Sequence, residues 1–218
     1  MSFIISVSGL RGVVGETLTD EVVERYVTAF ESLLPPGSCV VGHDGRATVP
    51  GFAQLVATTL ARRGRHVMDC GPCATPTMGV LVQSKGAAGG VQVSASHNPP
   101  QYNGLKLFGQ DGRVLPAAEG ARVREIYLAG NSVGSASQPG RVERLEETTE
   151  EHWNRIKPLV DVERIRSHRF KVLLDSNHGA GSVVGRRVLQ ELGCDVVSLG
   201  GEADGAFAHP PEPTRENL

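Results

Sequence analysis

The sequence predicts an α/β fold, with a mostly parallel mixed sheet that has helices on both faces, followed by a partial second α/β domain. Two observations carry this prediction. Short apolar runs alternate with amphipathic stretches through the first half of the chain, and a new strand-helix-strand pattern begins at Phe170. Strands that alternate with helices favour a parallel sheet whose two faces are both covered.

The first helix is predicted to begin after Thr19, a residue type that caps helix N-termini, and to run to Leu33 with apolar side chains at helical spacing. The other elements of this half follow the same reasoning. Helices are predicted at residues 52–60, 75–83 and 116–129, and strands at residues 39–41, around Val67, at residues 90–93, 105–108 and 113–115.

Composition and charge restrict the possible partners of the protein. The 218 residues carry a net charge of −2, and the 22 basic and 24 acidic residues are well mixed, so no basic patch indicates a nucleic-acid partner. No apolar run approaches the roughly 20 residues of a membrane span, and the N-terminus lacks a secretory pattern. We therefore expect a cytoplasmic protein that binds neither nucleic acid nor membrane.

Function is expected at one edge of the predicted sheet. In mostly parallel sheets, ligands bind at the carboxyl ends of the strands. Four polar or glycine-rich loops follow apolar runs and therefore share that edge: residues 8–11, 43–46, 70–75 and 94–98.

Residues 94–106 are the most informative stretch. Pro99 and Pro100 stiffen it, and Asn103-Gly104 is predicted to supply the positive φ of a tight reversal. Folding back would bring Lys106 near Ser96, which places a hydroxyl nucleophile beside an amine that can act as acid or base. The simpler alternative is a turn between strands whose serine and histidine are only solvated.

The same stretch carries a family resemblance. Ser-Ala-Ser-His-Asn-Pro at residues 94–99, followed by Asn-Gly-x-Lys at residues 103–106, resembles the phosphoserine loop of the α-D-phosphohexomutases, the phosphoglucomutase/phosphomannomutase/phosphoglucosamine mutase family. Gly-Leu-Arg-Gly at residues 9–12 and Gly-His-Asp-Gly-Arg at residues 42–46 resemble two further motifs of that family. The second of these is implied to support the nucleophile loop.

The resemblance implies a two-step phosphoryl relay that interconverts hexose 1-phosphate and hexose 6-phosphate. Phosphorylated Ser96 would give its phosphoryl group to the sugar phosphate, form a bisphosphate, and take back the other group. Lys106 is implied as the general acid/base, His97 as the residue that orients the loop or assists proton transfer, and Arg11 as the cation that steadies the phosphoryl group. Ser96 would also ligate Mg²⁺, through a phosphoserine oxygen and together with carboxylates of the family's metal loop.

Two domains are predicted, with a boundary in the small, polar stretch at residues 130–140. Residues 1–140 would form domain I with the phosphoserine loop, and residues 141–218 a partial domain II built on a β-α-β unit. No Asp-x-Asp-x-Asp metal-binding loop occurs in the sequence. The resemblance therefore implies an amino-terminal portion of a longer enzyme, inactive by itself, whose hexose and oligomeric state stay open.

Other classes of function fit parts of the same sequence. One is a non-catalytic sugar-phosphate-binding module that uses the same edge of the predicted sheet. Another is a thiol oxidoreductase acting through Cys70 and Cys73, because Cys-Gly-Pro-Cys is also the thioredoxin motif. Asp69 disfavours a nearby thiolate, so packing is the favoured role of both cysteines. Residues 179–185 also resemble a dinucleotide-binding turn, although their glycine spacing is looser than the usual pattern.

Overall fold

The computed structural model describes residues 4–6, 9–46, 48–130, 134 and 136–217, and its main feature is a seven-stranded sheet. The strands of this sheet are β1 (Ile4–Ser6), β2 (Gly9–Val13), β3 (Cys39–His43), β4 (Val67–Pro72), β5 (Gly89–Val93), β6 (Tyr102–Gly109) and β7 (Val142–Arg144). The helices that cover it are α1 (Asp20–Glu31), α2 (Val49–Arg62), α3 (Thr75–Ser84) and α4 (Ala117–Ala129).

Strand directions in this sheet are mixed, and the order across it is β1-β2-β6-β5-β3-β4-β7. Strands β5, β3, β4 and β7 pair in parallel along that order. Strand β6 runs antiparallel to both β5 and β2, so β2 points the same way as β5, and β1 is antiparallel to β2. Five of the seven described strands therefore share one direction, which confirms the predicted mostly parallel mixed sheet.

Helices lie on both faces of the sheet, as predicted. Val41 of β3 lies in a core with Phe30 of α1, to which α2 and α4 also contribute. Its neighbour Val40 lies in a second core on the other face, with Met78 of α3. Successive residues of a strand point to opposite faces, so a single apolar strand supplies both cores.

A second α/β unit follows the sheet. It consists of α5 (Glu150–Ile156), a short 3₁₀ helix (Lys157–Leu159), α6 (Val162–His168), β8 (Lys171–Asp175), α7 (Gly181–Glu191) and β9 (Asp195–Leu199). Strands β8 and β9 pair in parallel, as a β-α-β unit requires. Strand β7 lies beyond the predicted boundary at residue 140 and pairs with β4 of the first sheet. The boundary between the two domains stays a prediction.

The reversal predicted at Asn103-Gly104 is wrong. Both residues lie inside β6, where Gly104 pairs with Arg11 of β2. A Cβ atom on Gly104 would lie 2.4 Å from the carbonyl oxygen of Leu10, so close backbone approach explains the glycine. The chain reverses earlier, where the Tyr102 N–H donates to the Pro99 carbonyl at 3.0 Å.

Two further observations complete the fold. Among the described residues, no helix combines the length and the apolar character needed to cross a membrane. Parts of two predicted loops, namely Ser8, residues 131–133 and Ser135, lie outside the described residues.

Candidate active site

Ser96 stands at the carboxyl end of β5 in an unusual backbone conformation. Its φ is +58°, a left-handed value that costs a residue with a side chain about 1 kcal/mol. The Ser96 N–H donates to the hydroxyl of Ser94 at 2.9 Å, and its carbonyl accepts from Arg46 at 2.7 Å. The residue itself is exposed. The structure thus holds the backbone of Ser96 on both sides and leaves the side chain open to a reactant.

Arg46 holds the loop that carries Ser96 in position through hydrogen bonds. Its side chain is only 2% exposed, and its guanidinium donates to the carbonyls of Ser96 (2.7 Å) and Pro99 (2.9 Å). The Nε–H donates to Asp44 at 3.1 Å, so the buried charge has a carboxylate partner. The planar guanidinium can serve all three acceptors at once, which explains why an arginine stands in this turn.

Lys106 lies on β6, between Gln92 of β5 and Gly9 of β2. Burial lowers the pKa of Lys106 from its usual 10.5, the nearby positive charge of Arg11 lowers it further, and Asp44 opposes both effects. A larger fraction of neutral amine at a given pH suits a general base. The strand pairing therefore places the predicted acid/base and the predicted phosphate ligand, Arg11, in one electrostatic environment.

Replacing Lys106 by methionine is expected to raise the stability of the folded protein at pH 7 while removing the amine from the site. A lysine whose pKa is lower in the folded state than in the unfolded state destabilises the folded state at pH values below its folded-state pKa. That penalty disappears as the pH rises towards 10.5. We expect the urea midpoint of Lys106→Met to exceed that of the wild type at pH 7, with the difference shrinking at higher pH.

The matched control for this prediction is Lys157→Met, because Lys157 is exposed. Urea unfolding followed by circular dichroism at several pH values measures both variants. A lower midpoint for Lys106→Met than for the wild type at pH 7 would contradict the prediction.

His97 contacts a segment that the sequence did not connect to this loop. Its Nε2 atom lies 3.3 Å from a carboxylate oxygen of Glu212, and both side chains are about half exposed. Phe207, from the same segment, lies with its ring centroid 5.0 Å from the guanidinium carbon of Arg46. Glu212 and Phe207 were missed as site residues because their separation along the chain gives no local signal.

A cavity of about 390 Å³ lies between the first sheet and the second unit, beside Ser96. Asp44 and Gln92 line it from one side, and Asp175 and His209 from the other. Helices α3 and α7 both begin at residues that line this cavity, and neither has a side-chain cap. Uncapped helix N-termini favour an anion such as a phosphoryl group.

Cys70 and Cys73 are packed rather than presented to solvent. Their side chains are 2% and 1% exposed, and the Cys70 thiol donates to the Val41 carbonyl at 3.0 Å. The hydrogen bond with Cys73 and burial hold the pKa of Cys70 well above its usual value. A redox-active cysteine needs the opposite, an accessible thiol with a lowered pKa. These features favour packing over the oxidoreductase alternative.

We expect iodoacetamide at pH 7 to alkylate Cys194 in the folded protein and to leave Cys39, Cys70 and Cys73 unmodified. Cys194 is partly exposed, whereas the other three are buried, and burial raises the pKa of Cys39 to about 12. Peptide mass spectrometry measures the modification, and alkylation in urea, which should label all four, is the control. Rapid modification of Cys70 or Cys73 in the folded protein would revive the redox alternative.

Metal-ligand side chains do not cluster among the described residues. Within them, no group of three or more His, Cys, Asp or Glu side chains is placed to hold one. These residues therefore do not form a complete Mg²⁺ site, and Ser96 as a metal ligand stays a prediction.

Comparisons with known family models cover most of the chain. Residues 4–133 match the family model of phosphoglucomutase/phosphomannomutase α/β/α domain I, and residues 150–218 match that of α/β/α domain II. The chain belongs to the phosphoglucomutase/phosphomannomutase family. The family resemblance and the fold class predicted from the sequence are thereby confirmed.

Individual members of this family match the chain along nearly its whole length. A phosphoglucomutase/phosphomannomutase of Thermococcus kodakarensis is 34% identical over 96% of this chain and 47% of its own. A phosphoglucosamine/phosphogalactosamine mutase of Sulfurisphaera tokodaii is 31% identical over 100% of this chain and 49% of its own. The chain spans about half the length of the curated relatives it matches.

Solved structures show the same relation. The crystal structure of a candidate phosphomannomutase from Thermus thermophilus superposes with a TM-score of 0.87 at 28% identity, and it covers 99% of this chain and 50% of its own. A phosphoglucomutase/phosphomannomutase family protein from Burkholderia thailandensis gives a TM-score of 0.71 at 27% identity, with 94% and 45% covered. The two α/β units thus correspond to part of each solved chain.

Proposed function

We propose that this protein carries the phosphoserine of a phosphohexomutase, which interconverts hexose 1-phosphate and hexose 6-phosphate through a bisphosphate. The observation that carries the proposal is the geometry at Ser96. Its exposed side chain stands on a backbone in a left-handed conformation that Ser94 and Arg46 hold in place. Such preorganisation is what in-line phosphoryl transfer requires, since positioning and charge neutralisation supply most of its rate enhancement.

In the first step the bond between phosphorus and Ser96 Oγ breaks, and a bond forms from phosphorus to a hydroxyl oxygen of the hexose phosphate. Ser96 is exposed, so its departing oxygen takes up a proton from water. The proton of that hydroxyl passes to the neutral amine of Lys106, whose pKa is lowered by burial and by Arg11. The sugar is then a bisphosphate. Arg11 stabilises the negative charge of the transferring group through its guanidinium.

In the second step the bisphosphate presents its other phosphoryl group to Ser96. The exposed Ser96 hydroxyl attacks phosphorus and releases its proton to water, the bond to the sugar oxygen breaks, and Lys106 returns a proton to that oxygen. The serine is phosphorylated again, and the product carries its phosphate at the other position. Mg²⁺ would neutralise phosphoryl charge when bound, with Ser96 as one of its ligands; the described residues form no complete metal site.

Two measurements test this proposal on the full-length protein with added Mg²⁺ and a hexose bisphosphate, because the 218 residues by themselves are expected to be inactive. Mass spectrometry should find a phosphoryl adduct of roughly 80 Da on Ser96. Phosphorus NMR should show hexose 1-phosphate and 6-phosphate interconverting, with glucose, mannose and glucosamine phosphates tried in parallel. Saturable binding of a hexose phosphate with neither adduct nor interconversion would overturn the proposal in favour of a sugar-phosphate-binding module.

The cytoplasmic location and the lack of nucleic-acid and membrane partners stay predictions from the sequence. The hexose phosphate partner is part of the present proposal. The names of the relatives include glucose, mannose and glucosamine phosphates, so they support the hexose phosphate class without selecting one sugar.

A further inference from the structure

Residues 203–212 of the second unit run against the loop that carries Ser96, and we refer to them as the clasp segment. The segment meets the first domain at several points. A Cβ atom on Gly45 would lie 2.4 Å from the Ala203 carbonyl oxygen, which shows how closely the two backbones approach. Phe207 lies over the guanidinium of Arg46, and Glu212 lies 3.3 Å from His97. The clasp segment therefore contacts both the support of the loop and the loop itself.

The clasp segment is held in place by its own unit. The side-chain oxygen of Asn177 accepts the N–H groups of Ala208 (2.9 Å) and His209 (3.2 Å), and its amide donates to the His209 carbonyl at 2.9 Å. Prolines on both sides of Glu212, at positions 210, 211 and 213, restrict the backbone further. The backbone that carries Glu212 is thus restrained where its carboxylate contacts His97.

We infer that Glu212 is a positioning residue for phosphoryl transfer, which fixes the orientation of the imidazole of His97, the residue that follows Ser96; this inference rests on the proposed function. A half-exposed imidazole without a partner would sample several rotamers. An ionised carboxylate accepts hydrogen bonds, so Glu212 favours the ring orientation that turns Nε2 towards it at 3.3 Å. The contact therefore selects one orientation of the ring, with Nε2 towards Glu212.

Three variants of the full-length protein test this inference. Glu212→Ala removes the partner of His97, Glu212→Gln keeps a hydrogen-bond acceptor without the charge, and Glu216→Gln changes an exposed charge four residues further along as a control. We expect Glu212→Ala to lower kcat about three- to fivefold with KM nearly unchanged, the size of effect that an exposed ion pair supports. Glu212→Gln should recover part of that loss, and Glu216→Gln should match the wild type.

A second readout follows His97 without reference to turnover. Diethyl pyrocarbonate modifies imidazole nitrogens, and peptide mass spectrometry reports the rate at His97 itself. We expect this rate to rise in Glu212→Ala and to stay at the wild-type value in Glu216→Gln, because only the first variant frees the ring.

The possible failures are distinguishable. A wild-type protein that interconverts no hexose phosphate would overturn the proposed function and, with it, the role of Glu212 in transfer. A different result would overturn the role of Glu212 alone. In it, the wild type interconverts hexose phosphates, Glu212→Ala has the same kcat, and diethyl pyrocarbonate modifies His97 at the same rate in both proteins. A fall in KM in Glu212→Ala would also contradict a positioning role if Glu212→Gln shows the same fall. A loss of folding that both variants share in full would contradict it as well.

Discussion

Replacing Ser96 by alanine is expected to reduce phosphoryl transfer at least about 10⁴-fold, because the variant lacks the oxygen that carries the phosphoryl group. The side chain is exposed, so its loss leaves no cavity and no buried group without a partner. We therefore expect the fold to be unchanged by circular dichroism. Phosphorus NMR of the interconversion and intact mass of the protein measure the effect, and the adduct of roughly 80 Da should be absent.

Ser94→Ala is the matched control for this prediction. Ser94 lies two residues earlier on the same loop, is 5% exposed, and accepts the Ser96 N–H at 2.9 Å. Losing one neutral hydrogen bond of this kind costs about 1 kcal/mol, which corresponds to a loss of roughly fivefold. Equal losses in the two variants would refute the assignment of Ser96 as the hydroxyl that carries the phosphoryl group.

Replacing Arg46 by alanine is expected to destabilise the protein by about 3 kcal/mol and to slow phosphoryl transfer about 100-fold. The guanidinium is 2% exposed and donates to three oxygen atoms, which belong to Ser96, Pro99 and Asp44. Its removal leaves the carboxylate of Asp44, only 19% exposed, without its cation. The loop would then lose the contact that fixes the Ser96 carbonyl.

Two further variants show whether stability depends on the planar, multiply donating guanidinium of Arg46 or only on its charge. Arg46→Lys keeps the charge but cannot reach all three acceptors, so we expect a urea midpoint between those of the alanine variant and the wild type. Arg124→Ala removes an exposed arginine from α4 and should leave the midpoint within experimental error. If Arg46→Ala unfolds at the same urea concentration as Arg124→Ala, the buried guanidinium does not stabilise the loop.

Much of the fold follows from local sequence. Helix α1 begins where Thr19 caps it, with the Thr19 hydroxyl 3.4 Å from the Val22 N–H, and its apolar positions form one buried face. Strand β3 is short, apolar and buried on both sides, which is why its pattern was readable. Periodicity and capping act between residues within a few positions of one another, so the sequence expresses them directly.

The error at Asn103-Gly104 shows where local interpretation fails. Asn-Gly is a strong turn signal by itself. In the folded chain, pairing with β2 and the close approach to Leu10 decide the conformation, and both residues become part of a strand. The positive φ appears at Ser96 instead. Hydrogen bonds with Ser94 and with Arg46, which is 50 positions away, hold that conformation.

By itself, the sequence determined the α/β class, the order of the main elements, and the family resemblance through the loop of Ser96, His97 and Lys106. Tertiary structure alone decided that Arg46 bonds to the carbonyl of Ser96, that Glu212 reaches His97, and that burial beside Arg11 lowers the pKa of Lys106. The physical reason is that burial and charge proximity depend on which distant segments pack together. A linear pattern encodes the helix or strand that carries a residue, but the packing of the whole chain sets the field that the residue experiences.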